Sequence, residues 1–321
     1  MSFSTEVKEE LIEIPPQCPH CNEALISALL RINGTLLFSG GGSVRLEVTT
    51  EVPFVARLIT ETLTNRYNLQ VVITVRQNVL HKTPNWLIEV PYQKNLEEIL
   101  KQLGILKKEG TLERGVSDEF KNSPCCFNSY VRGLFLGSGF VSDPKGNFHL
   151  EIKIDSEYLA EEVASQLQRS GIEGVPIPVR TTPRRNSIIL YLKSGEHIAT
   201  FMKALKATKT YETIQQARST KNVRNAVNRQ VNAEIANSNK IGAASQKQIA
   251  TIRRVLSYYS FNNLPQALQE YVLLRVSNPE ASMKELGELA NPPLSKSAIY
   301  HRVKRFEEME KGLPHRSHED K

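Results

Sequence analysis

The chain has 321 residues, a formal net charge of +7, 40% hydrophobic residues and 23% charged residues. At about 150 residues per domain, this length predicts two or three domains, and the apolar fraction excludes wholesale disorder. No stretch approaches the ~18 consecutive apolar residues of a spanning helix, and the acidic start lacks the basic-then-apolar order of a secretory signal. A cytoplasmic protein with no membrane partner is expected. The charge is uneven: residues 1–210 hold 24 Lys+Arg against 23 Asp+Glu, and residues 211–321 hold 17 against 11. Within 218–254, eight basic residues accompany a single acid, Glu234. Such clustering points to nucleic acid or an anionic surface; a plain solvated helix face is the alternative.

The first two thirds contain an internal repeat. Ile26–Gly34 matches Val131–Gly139 at an offset of 105, and Cys21 and Cys126 each precede the glycine by thirteen residues. At an offset of 104, Arg45–Val48 matches His149–Ile152, Val55-Ala56 matches Leu159-Ala160, and Ile59 and Leu63 match Val163 and Leu167. Val71, Val75 and Arg76 match Val175, Val179 and Arg180. Each copy predicts an apolar helix ending at Gly34 or Gly139, where glycine suits a helix terminus. A hairpin follows, turning at Gly40-Gly41-Gly42 or at Asp143–Asn147. Its second strand alternates, with Val44, Leu46 and Val48, or Leu150, Ile152 and Ile154, facing inward. Then come an amphipathic helix (52–66; 156–170), two strands (71–77 and 86–90; 175–181 and 188–193) and a closing helix (95–103; 196–207). The fold class is α+β: αββαββα twice over residues 1–210, with repeats at about 18–107 and 123–210. Helices should cover one face of each sheet. The open face presents mixed charges, with Arg45, Glu47, Arg76, His149, Glu151, Lys153 and Arg180 among them.

This repeat resembles the LAGLIDADG homing-endonuclease fold in its single-chain form. The resemblance implies two central helices in close contact, for which Ala28, Gly133 and Gly137 are suitably small. It also implies an acidic metal ligand near the end of each central helix. Asn33 and Ser138 stand there instead. Hard divalent cations need anionic oxygens, so the domain reads as a catalytically dead scaffold, with no catalytic residues, no metal and no cofactor. Glu47 and Glu151 are acidic but fall on strands. The mixed open face suits a regulatory or protein-interaction module better than a basic DNA saddle.

After residue 210 the strand signals stop. Residues 211–244 read as a basic, Asn-rich helical linker, with a narrow apolar stripe of Val223, Val227, Val231 and Ile235. Arg224, Asn228 and Arg229 are candidate phosphate or base contacts; a plain connector helix is the alternative. Residues 245–311 read as an all-α helix-turn-helix domain, and 312–321 as a flexible tail. Ser245-Gln-Lys-Gln248 has capping-box form and predicts a new helix to about Tyr259, with Ile249, Ile252, Val255, Leu256 and Tyr259 inward and Arg253 and Arg254 outward. Pro265 opens a helix with Leu268, Tyr271, Val272 and Val276 inward. Ser282-Met-Lys-Glu285 opens a short helix carrying Leu286, Leu289 and Ala290, which Asn291-Pro292-Pro293 ends. Ser295 caps the last helix. At about 100° per residue, Ile299, Val303 and Phe306 share one sector of it. Ser297, Tyr300, His301, Lys304 and Arg305 cover the opposite sector, flanked by Lys296 and Arg302. These seven residues, with Arg224, Asn228, Arg229, Arg253 and Arg254, are the candidate contacts to double-stranded DNA. An ordinary bundle helix is the alternative.

The combination resembles the WhiA family of Gram-positive bacteria over nearly the whole chain. The resemblance rests on Cys125-Cys126 with Val131–Gly139, His149–Ile152, Asn228-Arg-Gln-Val-Asn232 and Leu294-Ser-Lys-Ser-Ala-Ile-Tyr-His-Arg302. Ala233 and Tyr300 depart from the common pattern. The resemblance implies a DNA-binding, nucleoid-associated transcriptional regulator of cell division, chromosome segregation and, in sporulating relatives, sporulation, with other regulatory or cell-division proteins as further partners. An adaptor acting through the first domain and an active endonuclease are the competing functions. Of the four cysteines, Cys18-Pro-His-Cys21 lacks the preceding strand of a thioredoxin-like site. Ordinary buried thiols are the leading reading, with a zinc site as the alternative.

Overall fold

The computed structural model describes residues 2–39, 43–77 and 84–314. Each repeat is built on a helix that is apolar almost all round, the pattern of a helix buried on every side. After α1 (Phe3–Ile12), the first repeat runs α2 (Cys21–Asn33), β1 (Gly34–Ser39), β2 (Ser43–Thr50), α3 (Pro53–Glu61), β3 (Val72–Gln77), β4 (Pro84–Val90) and α4 (Leu96–Gln102). A short α5 (Asp118–Lys121) leads to the second: α6 (Pro124–Ser138), β5 (Gly139–Val141), β6 (Leu150–Ile154), α7 (Glu157–Arg169), β7 (Arg180–Arg184), β8 (Ser187–Leu192) and α8 (Gly195–Ala204). The αββαββα order therefore occurs twice. Both sheets are antiparallel, with orders β1-β2-β4-β3 and β5-β6-β8-β7. Val44, Leu46, Val48, Leu150, Ile152 and Ile154 are all buried. The Gly40–Gly42 turn lies outside the described residues.

Several local expectations change. Residues 175–179 are not a strand, and β7 starts only at Arg180. Pro176 and Pro178 remove two backbone donors from that stretch, which leaves one isolated bridge, Ile172 to Val175. Residues 62–66 form a π-helical turn rather than more of α3. In edge strand β3, Val72, Ile73 and Val75 are exposed, because α3 packs chiefly on β2 and β4. Neither helix-ending glycine has a positive φ. Both are needed for space: a Cβ on Gly34 would lie 2.3 Å from the Leu30 carbonyl oxygen, and one on Gly139 2.5 Å from that of Phe135.

The two central helices form the heart of the first unit. A Cβ on Gly133 would meet the Leu25 carbonyl oxygen at 2.4 Å and the Ala28 Cβ at 2.8 Å. Only a residue without a side chain lets α6 approach α2 this closely. α1 packs on α6 and sends Glu10 to the start of the next long helix. There its carboxylate accepts from the Lys209 amide at 2.7 Å and the Thr210 amide at 3.0 Å. A carboxylate at a helix N-terminus meets orphan donors and the positive end of the dipole.

Contacts divide the chain into two units, Met1–Lys221 and Asn222–Lys321. One helix, α9 (Thr208–Leu256), runs through the boundary without a break. The helix start expected at Ser245 is therefore absent. Ser245 is buried inside α9, where its hydroxyl donates to the Pro279 carbonyl and accepts from Arg275. Partners from elsewhere in the fold have taken the side chain that would have capped a helix. Gly242 alone costs only about 1 kcal/mol relative to alanine, too little to end a helix. α9 ends at Leu256, and Tyr259 is exposed.

The second unit adds α10 (Gln266–Ser277), α11 (Met283–Glu288) and α12 (Lys296–Lys311). Ile252 and Val255 of α9 join Leu268, Tyr271, Val272, Leu286, Ile299, Val303 and Phe306 in one core. Val276 is exposed and Arg275 is buried in its place. On the helix circumference Arg275 falls between Tyr271 and Leu268, whereas Val276 lies about 80° from Leu268. Leu289 is likewise exposed while Leu286 and Ala290 are buried. No described helix is long and apolar enough to cross a membrane.

Candidate nucleic-acid interface

Short-range chemistry sets the entry to α12. In the capping box of α11, the Ser282 hydroxyl accepts from the Glu285 amide at 3.3 Å, and the Glu285 carboxylate accepts from the Ser282 amide at 2.6 Å. The turn that follows is closed by the Leu294 amide donating to the Gly287 carbonyl at 2.8 Å. A Cβ on Gly287 would stand 2.2 Å from the Leu294 carbonyl oxygen, so glycine permits this crossing. Ser295 then caps α12 by accepting from the Ala298 amide at 3.2 Å. Phe306 anchors the far end against Tyr271, with ring centroids 5.8 Å apart. The Tyr271 hydroxyl donates to Gln248 at 3.1 Å, and burial pushes its pKa up to about 12, so it remains a donor at neutral pH.

With Ile299, Val303 and Phe306 buried, the opposite sector faces solvent. Lys296, Ser297, Tyr300, His301, Lys304 and Arg305 are all exposed. The Lys304 ammonium sits 5.4 Å from the Tyr300 ring centroid, and Tyr300 meets the His301 ring edge-on. Arg305 pairs with Glu308 at 3.1 Å, but both are about two-thirds exposed, and such pairs are worth little. Arg302 differs from the rest. Its side chain is only 15% exposed and lies 3.4 Å from Glu270 of α10, which makes it a brace between helices rather than a free contact.

The α9 candidates also divide. Arg253 is exposed, whereas Arg254 lies 3.8 Å from Glu310 of α12, which also accepts from Thr251 at 2.9 Å. Arg224, Asn228 and Arg229 are exposed; at about 100° per residue the first two share a face and Arg229 is turned away from it. The stripe Val223, Val227, Val231 and Ile235 is 44–65% exposed. Lys284, which carried no sequence signal, joins Lys240 and Lys296 around a cleft of about 320 Å³. Three lysines from α9, α11 and the start of α12 meet there, and only the folded packing brings them together.

In the first unit, Asn33 and Ser138 do the same thing. The Asn33 amide donates to the Thr49 carbonyl at 3.1 Å, and the Ser138 hydroxyl donates to the Lys153 carbonyl at 2.6 Å. Thr49 and Lys153 are themselves equivalent in the repeat. Both side chains donate to strand carbonyls and neither supplies a carboxylate, so the pair lacks the anionic oxygens that hold Mg²⁺, and the Asn33 Oδ1 has no partner among the described residues. On the open sheet face, Glu151 contacts His149 at 3.1 Å and Arg184 at 3.9 Å, and Lys153 pairs with Asp155 at 3.1 Å. At the other end of the helix pair, the sulfurs of Cys18, Cys21, Cys125 and Cys126 all lie within 4.8 Å of one another. Cys21 and Cys126 are buried, and Cys18 and Cys125 half-buried.

These features define a class: a two-repeat LAGLIDADG-like domain without an acidic pair at its centre, followed by a helix-turn-helix domain. Family comparison gives the same division. The WhiA N-terminal LAGLIDADG-like domain matches residues 19–106, the WhiA LAGLIDADG-like domain residues 127–224, and the WhiA C-terminal HTH domain residues 227–310. The probable cell division protein WhiA of Desulforamulus reducens is 35% identical over 98% of this chain and 96% of its own. That of Heliobacterium modesticaldum is 36% identical over 96% of each chain. The crystal structure of full-length WhiA from Thermotoga maritima matches with a TM-score of 0.56 and 25% identity, covering 98% of this chain and all of the other. The chain belongs to the WhiA family.

Proposed function

We propose that this protein is a non-catalytic, nucleoid-associated regulator of transcription in cell division and chromosome segregation, and that it binds double-stranded DNA through its helix-turn-helix domain. The carrying observation is the outward face of α12, where Ser297, Tyr300, His301, Lys304 and Arg305 are exposed on a helix whose other face is anchored by Ile299, Val303 and Phe306. In a helix-turn-helix, the second helix lies in the major groove and reads base edges from such a face. The cleft lysines Lys240, Lys284 and Lys296 add phosphate contacts beside its N-terminal end. The relatives' name, probable cell division protein, supports the cellular setting.

The donor roles of Asn33 and Ser138 support a non-catalytic first domain. Its mixed-charge sheet face supports a role in recruiting or regulating through protein contacts. Genome-wide crosslinking of the full chain to DNA tests the proposal. Discrete promoter sites that vanish in a Lys304→Ala/Arg305→Ala double variant are the expected result. Unaltered occupancy in that variant overturns the assignment of α12 to DNA, and cleavage of plasmid DNA with Mg²⁺ overturns the non-catalytic reading.

A further inference from the structure

We propose that Cys18, Cys21, Cys125 and Cys126 bind one zinc ion that ties together the N-terminal ends of the two central helices. The Cys18 sulfur lies 3.4 Å from that of Cys21, 3.5 Å from Cys126 and 3.6 Å from Cys125, and all four fall within 4.8 Å of one another. A tetrahedral zinc ion with Zn–S bonds of about 2.3 Å sets sulfur–sulfur edges of about 3.8 Å. The cluster brackets that spacing. Its sulfurs are far outside the ~2.05 Å of a disulfide bond. An iron–sulfur cluster spreads its four cysteines over two or four irons, which requires a wider spacing than four sulfurs around one ion.

The backbone prepares the site. Cys18-Pro-His-Cys21 folds into a turn, closed by the Cys21 amide donating to the Cys18 carbonyl at 3.1 Å, which brings two sulfurs to one side. Cys21 is the first residue of α2, and Cys125 and Cys126 lie in the first turn of α6. Two helix N-termini therefore carry the cluster.

A buried cation adds an independent observation. Arg132 is 3% exposed, and among the described residues its guanidinium donates only to neutral groups, the Ile14 carbonyl at 3.2 Å and the Ser129 hydroxyl at 3.5 Å. Its Nε has no partner among the described residues. A buried charge without a counter-charge is costly. Through Ser129, Arg132 reaches the face of α6 that carries Cys125 and Cys126 one turn earlier. Four thiolates around Zn²⁺ carry a net charge of −2, which Arg132 and the two helix dipoles offset. On binding, the four thiols lose their protons to solvent and no electrons move. The site lies at the opposite end of the helix pair from Asn33 and Ser138. It holds the two repeats in register there, in place of the metal that those residues do not fit.

The full chain, purified under reducing conditions without chelator, tests this by elemental analysis. About one zinc per chain is expected. After removal of zinc by chelator, cobalt should restore a tetrahedral four-thiolate spectrum, with strong thiolate-to-cobalt charge transfer and intense visible bands. Cys18→Ser and Cys125→Ser, at the two half-buried positions, should each abolish that spectrum. The unmutated chain decides the matter even if both variants misfold. A metal-free chain with four reactive thiols, a chain that takes up no cobalt after reduction, or one holding iron instead of zinc overturns the proposal.

Discussion

Lys304 and Arg305 are the sharpest test of how α12 is used. Neither supports the fold: Lys304 rests on the exposed Tyr300 ring, and Arg305 pairs with an exposed Glu308. Alanine at both positions should leave stability within about 0.5 kcal/mol, since the helix loses no propensity and no buried contact. Binding should respond strongly. Each phosphate contact contributes about 0.9 to the slope of log K against log salt, so two lost contacts flatten it by about 1.8. Between 50 and 200 mM salt, the unmutated chain should then lose about 12-fold more affinity than the double variant. Fluorescence anisotropy of a labelled duplex, titrated at several salt concentrations, reads this directly. Arg302→Ala is the internal contrast: it breaks the half-buried pair with Glu270, lowers stability by about 1 kcal/mol and leaves the slope alone. Parallel slopes and equal affinities for the double variant and the unmutated chain would refute the assignment. So would a flattened slope in Arg302→Ala.

Three further outcomes follow from the packing. Gly133→Ala places a Cβ 2.4 Å from the Leu25 carbonyl oxygen, a backbone atom that cannot swing aside. A loss near the upper end of the usual 1–3 kcal/mol for overpacking is expected in urea unfolding, and an unchanged midpoint would contradict the close helix contact. Lys8 is buried in α1, and burial lowers its pKa from 10.5 to about 8. Between those values the unfolded chain holds a proton that the folded chain has released, so stability should rise with pH across that window, by up to ~3 kcal/mol. Lys8→Met should be the more stable at pH 7, with the gap closing by pH 10.5; a gap that stays constant with pH would refute the linkage. Arg275 is 1% exposed and donates to the Ala281 carbonyl at 2.7 Å, the Asn278 carbonyl at 3.3 Å and Ser245 at 3.2 Å. Arg275→Leu removes all three donations from the core and should cost about 2–5 kcal/mol by chemical denaturation, a loss that Arg275→Lys only partly restores.

The architecture was legible wherever it depends on periodic, local patterns. The offsets of 104 and 105 carried the repeat. Alternation along β2 and β6 identified the buried faces, and Ser282 and Ser295 marked true helix starts because their caps are local bonds. The same signature misled at Ser245, whose hydroxyl is engaged by Pro279 and Arg275 from a distant segment. Pattern alone also put Val276 inside and left Arg275 without a role, since nothing local says that a guanidinium will find three acceptors in the core.

The sequence by itself determined the two repeats, the basic helical last third of the chain and the missing carboxylates at positions 33 and 138. Those properties are set by residue type and spacing along the chain. Tertiary structure alone decided that Asn33 and Ser138 serve as donors to strand carbonyls and that Arg302 is a brace while Lys304 and Arg305 are exposed. It also gathered Lys240, Lys284 and Lys296 around one cleft, and four cysteines from two distant segments into one cluster. Each of these depends on distances between groups remote in sequence, and only the close packing of α2 on α6, and of α12 on its neighbours, fixes those distances.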